Sequence, residues 1–226
     1  MTRLKFYYDL MSQPCRALYI LLKINKIPFE PCLVNLRKGE QYADFFKNQI
    51  SRFQKVPVLH DKDFKLTENV AILRYLTREF QIDDHWYPKD SKKQARVDEY
   101  LEWQHNNTRL NCTLYFIHAY LNPRLMGKEV KPEELAAYKR NMEETLNKIE
   151  DLWLGQGTKY LAGDVISYAD ILAACELEQP LMAGFNPSDG RPKMADWLQR
   201  VKLETKPFYD EANVIVDKVI AKQKQT

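Results

Sequence analysis

Three short segments in the first third of the chain bring together residue types that could do chemistry. Ser12-Gln13-Pro14-Cys15 places a hydroxyl and a thiol at the spacing of a C-x-x-C redox motif, with serine at its first position. Such a site has no exposed thiolate of its own, but a hydroxyl at a helix start could stabilise a thiolate that a ligand brings. Val56-Pro57 precedes a predicted strand, and a cis proline there would expose the N–H and C=O of Val56 to an extended peptide. Glu68-Asn69 opens a predicted helix. Its carboxylate could take an ammonium, while Asn69 and the free N–H groups of the first turn take a carboxylate. Each segment also has a purely structural explanation. Serine is a favoured N-cap, proline is tolerated at the first residue of a strand, and acidic residues suit helix starts. Their order and spacing within one 80-residue unit carry more weight than any of them alone.

The elements that would hold these segments follow from periodicity. Leu4 to Tyr8 reads as a strand that stops at Asp9, and Ser12 then caps a helix with Pro14 in its first turn. Ala17, Leu18, Leu21 and Leu22 form that helix's apolar face. Phe29 to Val34 reads as a second strand and Glu40 to Lys47 as a weaker helix. Val56 to Leu59 and Phe64 to Leu66 flank the turn Asp61-Lys62-Asp63 as a hairpin. Val70, Leu73, Leu76 and Phe80 mark a third helix. The order βαβ then ββα predicts a small sheet whose first two strands are parallel and whose hairpin is antiparallel.

A polar, proline-bearing stretch follows, and residues 82–90 are expected to link residues 1–81 to an all-helical domain over 91–226. There, Val97, Tyr100, Leu101, Leu110, Leu114 and Ile117 predict one long helix ending near Pro123. Leu135, Tyr138, Met142, Leu146, Ile149 and Trp153 form an amphipathic stripe. Ser167 to Asp170 is a capping-box variant ahead of the apolar run Ile171 to Leu177, the expected central buried helix. Two more helices are expected near Lys193 to Val201 and Pro207 to Ala221.

Composition excludes several function classes. The 226 residues hold 34 basic and 31 acidic side chains, spread along the chain, which does not make a nucleic-acid surface. No apolar run approaches the ~18 residues of a membrane span, and Met1 to Asp9 is no signal peptide. Cys15, Cys32, Cys112 and Cys175 form no pair and make no metal spacing with the histidines. A reduced cytoplasmic setting without a metal fits them.

With these segments in this order, the sequence resembles the theta class of cytosolic glutathione transferases, especially the insect members. The likeness spans nearly the whole chain. It is carried by Tyr8 to Ala17, Phe53 to Pro57, Thr67-Glu68, Val70 to Leu76, Arg96 to His105, Tyr168-Ala169-Asp170 and Arg191-Pro192-Lys193. It implies a thioredoxin-like domain that binds glutathione, and a helical domain that contributes a pocket for a small hydrophobic electrophile. Ser12 would activate the thiol of glutathione, a co-substrate rather than a resident cofactor. Lys55 would lie near the glycyl carboxylate, the backbone at Val56-Pro57 would pair with the cysteinyl unit, and Glu68 and Asn69 would hold the γ-glutamyl end. Gln41 stands where the family usually has histidine, and Asn69 where it has serine. Arg109 falls where theta enzymes place an arginine beside the thiol, and Met11, Asn106, Thr113 and Phe116 would line the electrophile's side. The chain ends at Thr226, short of the long extension of vertebrate theta enzymes, which implies a more open pocket.

The family further implies a homodimer and a role in detoxification, with alkyl halides, hydroperoxides or lipid aldehydes as electrophiles and peroxidase activity as an extension. Two alternatives remain at this point. One is a thiol–disulfide oxidoreductase that uses Cys15. The other is a non-catalytic binding or assembly module.

Overall fold

Alternating short apolar runs and helical segments become a four-stranded sheet with helices packed on it. In this computed structural model, residues 4–223 are described. β1 (Leu4–Tyr8) leads through a tight loop into α1 (Gln13–Ile24), and β2 (Phe29–Leu33) follows. β3 (Val58–Asp61) and β4 (Phe64–Thr67) form the hairpin, with Lys62 at positive φ in its turn, and α2 (Asn69–Glu79) comes next. The strand order is β2-β1-β3-β4. β1 pairs in parallel with β2, and both β1 with β3 and β3 with β4 are antiparallel. The crossover helix allows the parallel pair and the short turn requires the antiparallel one. This is the expected thioredoxin-like βαβ-ββα arrangement. Phe6, Leu18, Leu21, Leu59, Ile72 and Leu73 are buried in its core.

Between β2 and β3 the expected helix over Glu40 to Lys47 is broken. Separate turns span Leu36–Lys38, Glu40–Tyr42 and Phe46–Ile50. Ala43 breaks the expected helix by turning to extended torsions, φ −64° and ψ 145°, after Tyr42, and Gly39 at φ 72°, a conformation glycine adopts at little cost, separates the first two turns.

The chain divides into two units. One reaches Asp83 and includes Pro207–Asn213; the other comprises Asp84–Lys206 and the residues from Val214 onward. Within the expected linker, Asp84–Trp86 forms a turn, and Trp86 and Tyr87 are buried. Pro207–Asn213, expected with the helices, group with the sheet unit, where Tyr19 Oη donates to Glu211 Oε2 at 3.1 Å.

The second unit is helical, with one isolated bridge between Tyr160 and Gly163 among its described residues. It contains α3 (Ser91–Trp103), α4 (Thr108–Phe116), α5 (Asn122–Met126), α6 (Pro132–Lys148), α7 (Tyr168–Leu181) and α8 (Pro192–Glu204). α9 (Phe208–Gln223) begins in the first unit and ends in the second. The single long helix expected between Val97 and Pro123 is two helices. Asn107 leaves helical geometry at φ −122° and ψ −92°, and its Nδ2 donates to the Trp103 carbonyl at 2.9 Å. Pro123 does not end a helix, because α4 continues through a π-helical turn, Ile117–Leu121, directly into α5, and the widened turn precedes the residue that lacks an N–H.

α7 is buried from Tyr168 to Pro180, as its apolar run predicts. Its start is fixed by Asp170, which accepts from Ser167 N at 2.9 Å, Leu161 N at 2.9 Å and Trp197 Nε1 at 2.9 Å. No described helix is long and apolar enough to cross a membrane.

Candidate active site

Strand register assembles the site. Tyr7 at the carboxyl end of β1 pairs with Val58 at the start of β3, and Val58 pairs with Thr67 at the end of β4. Three junctions therefore meet at one end of the sheet: the loop to Ser12, the Val56-Pro57 segment, and the Glu68-Asn69 start of α2. Tyr8 pairs with Leu33 at the end of β2, so the segment carrying Gln41 leaves from the same end. The carboxyl ends of strands and the N-termini of helices in such sheets are where ligands bind.

Ser12 is the N-cap residue of α1 and only 8% exposed, yet its hydroxyl does not cap the helix. The local fold holds it by other means. Its N–H donates to the Asp9 carbonyl at 2.9 Å, and its carbonyl accepts from Arg16 N at 3.0 Å. The hydroxyl is thus held at a helix N-terminus without serving the helix.

The Val56–Pro57 peptide is cis. Val56 is half-buried just ahead of β3, and its backbone N–H and C=O make no hydrogen bond among the described residues. Glu68 adopts φ 68° and ψ 120°, is exposed, and its carboxylate carries no ion pair among the described residues. A non-glycine residue in that region costs roughly 1–3 kcal/mol, and such strain concentrates at functional sites. Asn69 Nδ2 donates to the Pro14 carbonyl at 2.8 Å, which ties the start of α2 to the start of α1. That tie spans 55 residues and is invisible in the sequence.

Gln41 is buried in the turn Glu40–Tyr42, and its Oε1 has no hydrogen-bond partner among the described residues. A buried amide oxygen without a donor is costly and marks a place where a ligand or water completes the set. Lys55 is exposed, Pro57 is buried, and Met11 is half-buried beside Ser12.

In the helical unit, Arg109, Thr113 and Phe116 recur at helical spacing on one face of α4, with Asn106 exposed in the turn before it. Arg109 Nη1 lies 3.3 and 3.4 Å from the two carboxylate oxygens of Glu176, which is 1% exposed in α7. Phe116 is buried and stacks on Tyr120 at 5.5 Å, so its ring serves the packing of the unit.

Electrostatics bear on which group could act. Tyr7 and Tyr8, at the end of β1, have phenol pKa values pushed up, chiefly by burial. Tyr8 stacks on Phe6 at 4.7 Å in the aromatic core. Cys15 is wholly buried, whereas a nucleophilic cysteine must be reachable. Among the described residues no group of His, Cys, Asp and Glu could hold a metal ion.

Sequence reasoning passed over two residues of the loop, Asp9 and Arg16. Asp9 accepts from Met11 N at 2.9 Å and from Leu36 N at 3.0 Å. Arg16 is fully buried and donates to the carbonyls of Leu10 at 2.9 Å and Met11 at 3.3 Å. The one local signal was a charged side chain between Cys15 and Ala17, inside an otherwise apolar helix.

Comparison with known proteins agrees with this architecture. The glutathione S-transferase N-terminal domain model matches residues 5–78 and the C-terminal domain model residues 113–202. The chain belongs to the glutathione S-transferase family and to its theta class; it is an enzyme of that family, with glutathione as co-substrate. It is 45% identical to human glutathione S-transferase theta-1 over 214 residues, covering 94% of this chain and 88% of the relative. The apo form of human glutathione S-transferase T1-1 superposes with a TM-score of 0.92 at 45% identity, covering 96% of this chain and 91% of that one. Human glutathione transferase theta-2, in complex with glutathione and an unknown ligand, gives a TM-score of 0.92 at 38% identity, covering 99% and 91%.

Proposed function

We propose that this chain conjugates glutathione to small electrophiles through a thiolate stabilised by Ser12. The observation that carries the reading is the buried Ser12 hydroxyl, uncommitted to its own helix at the sheet end where Val56 and Glu68 also stand. Glutathione is an extended peptide with an amino-acid head, and the bound relative supports its placement here. The free N–H and C=O of Val56 suit the cysteinyl unit. Glu68 and Asn69, with the first-turn N–H groups of α2, suit the γ-glutamyl ammonium and carboxylate. Lys55 and the amide of Gln41 suit the glycyl end, the cis Pro57 sets the backbone of Val56, and Met11 borders the thiol. On this reading residues 1–81 bind glutathione, residues 82–90 link, and residues 91–226 supply the electrophile's surface, with Asn106, Arg109 and Thr113 as its polar groups and Phe116 behind them.

The energetics are within reach of these groups. A free thiol titrates at ~8.5, and lowering that by about two units needs roughly 2.7 kcal/mol in favour of the anion. A charge-assisted hydrogen bond from Ser12 supplies about 1.5–3 kcal/mol, and the N-terminus of α1 adds ~0.3–1 kcal/mol. The thiolate's lone pair then attacks the electrophilic carbon, forming the C–S bond as the leaving group departs with its electron pair. Holding both reactants together provides the remaining acceleration.

We further infer a cytoplasmic homodimer, on family grounds. The burial of Cys15 favours this reading over a thiol–disulfide oxidoreductase. A panel of alkyl halides, hydroperoxides and unsaturated aldehydes, assayed with glutathione, tests it. Ser12→Ala should lose about 2–3 kcal/mol of transition-state stabilisation, or 30- to 150-fold in rate, while Cys15→Ala stays within a few fold. A folded Cys15→Ala protein without activity would contradict it, and turnover of nothing on the panel despite glutathione binding would favour a carrier module.

A further inference from the structure

The loop before Ser12 holds two consecutive peptide planes at both of their ends. In the Leu10–Met11 peptide, the carbonyl accepts from Arg16 Nη1 at 2.9 Å and the N–H donates to Asp9 Oδ1 at 2.9 Å. In the Met11–Ser12 peptide, the carbonyl accepts from the same Arg16 nitrogen at 3.3 Å and the N–H donates to the Asp9 carbonyl at 2.9 Å. Asp9 is itself anchored across 27 residues, since its Oδ2 accepts from Leu36 N at 3.0 Å. Arg16 is fully buried one helical turn after Ser12, and its own N–H closes on the Ser12 carbonyl at 3.0 Å.

We infer that Arg16, working with Asp9, is a positioning residue that fixes the direction of the Ser12 hydroxyl and so sets the acidity of the bound thiol. This deepens the proposed role of Ser12 and rests on it. With both ends of two successive peptides tied, the backbone torsions of Met11 and Ser12 are fixed, and with them the direction of the Ser12 Cα–Cβ bond. The hydroxyl forgoes the cap bond that would otherwise orient it, so its placement must come from the backbone. Pre-organisation of this kind matters because small misplacements of a catalytic group cost large factors in rate. Burying a guanidinium is expensive, and a neutral side chain would pack between Cys15 and Ala17 at lower cost. One nitrogen of its rigid planar guanidinium reaches both carbonyls, and a lysine ammonium on its flexible stem holds that position less firmly.

The test uses the full-length protein, glutathione and one electrophile of the panel, with Arg16→Lys, Ser12→Ala and the double variant. Arg16→Lys should lower kcat by about ten- to a hundredfold with KM for glutathione within about twofold, and should move the pH–rate limb toward the free thiol's value. The double variant should be no slower than Ser12→Ala alone, because Arg16 acts through Ser12. A folded Arg16→Lys protein with an unmoved limb and wild-type kcat overturns the inference. So does a double variant whose loss is the product of the two single losses, which would give Arg16 a general structural role while leaving Ser12's role intact. If Ser12→Ala itself keeps the wild-type rate and limb, the reading of Ser12 falls and the positioning role falls with it. Should Arg16→Lys fail to fold, Asp9→Asn loosens the same peptides from the N–H side. The same limb shift and non-additivity then support the inference, and their absence overturns it.

Discussion

Replacing Glu68 with glycine should make the protein more stable and worse at binding glutathione. Glu68 sits at φ 68° and ψ 120° on an exposed position, so its substitution disturbs no core. Relief of that conformation is worth roughly 1–3 kcal/mol, offset by the ~0.5–1 kcal/mol of extra unfolded-chain entropy that glycine brings. The net gain of about 0.5–2 kcal/mol should raise the melting temperature by about 2–4 °C per kcal/mol for a chain of this size. Glu68→Gln keeps the strained backbone and loses only the charge, so its ligand-free melting point should match the wild type. Glutathione at about a hundred times Kd should stabilise the wild type by roughly 2.7 kcal/mol. Loss of one charge-assisted hydrogen bond weakens affinity at least tenfold, which cuts that shift to about half or less in both variants. Thermal melts with and without glutathione decide the matter. A Glu68→Gly protein that melts below the wild type would rule out strain at this position, and one that keeps the full glutathione shift would remove Glu68 from the site.

Two further outcomes are expected. His60 is buried on β3 with Nε2 3.1 Å from the Ile50 carbonyl, and burial lowers its pKa from the ordinary 6.5. Below that value the unfolded chain binds a proton that the folded one refuses, so stability should fall as pH drops from about 6.5 toward the lowered folded value, and His60→Gln should flatten this slope in denaturant melts. Arg109→Ala removes the guanidinium from the buried Glu176 carboxylate and should cost about 2–3 kcal/mol, less than a fully buried pair because Arg109 is partly exposed. An unchanged denaturation midpoint would exclude that ion pair from the stability of the helical unit.

The sheet unit was legible because its signals are local. Leu4 to Tyr8 alternates, Ser12 and Pro14 mark a helix start, and Asp61-Lys62-Asp63 can only join adjacent strands. The three chemical segments could be named for the same reason, and the strand register then brings them to one end. What stayed hidden depends on contacts distant in sequence or on single torsions. Nothing local says that Asn107 will leave helical geometry, since the apolar period continues through Leu110 and Leu114. The change is tied to its own bond to Trp103 and to the pairing of Tyr100 Oη with Thr108 Oγ1 at 3.2 Å. Nor does anything local announce Ala43, whose extended torsions divide the helix expected over Glu40 to Lys47. Asp9 and Arg16 were passed over because their partners are backbone carbonyls and N–H groups, which leave no trace in side-chain patterns.

On the proposed mechanism the protein lowers the pKa of bound glutathione's thiol, chiefly through the Ser12 hydroxyl. The direct measurement is the ultraviolet difference absorbance of the thiolate, titrated against pH at saturating glutathione in the wild type and in Ser12→Ala. The wild type should titrate near 6.5, about two units below the free thiol's ~8.5, and Ser12→Ala should return to about 8, where only the helix terminus still helps. A wild-type titration at the free thiol's value, or a Ser12→Ala curve superimposed on the wild type's, would contradict it.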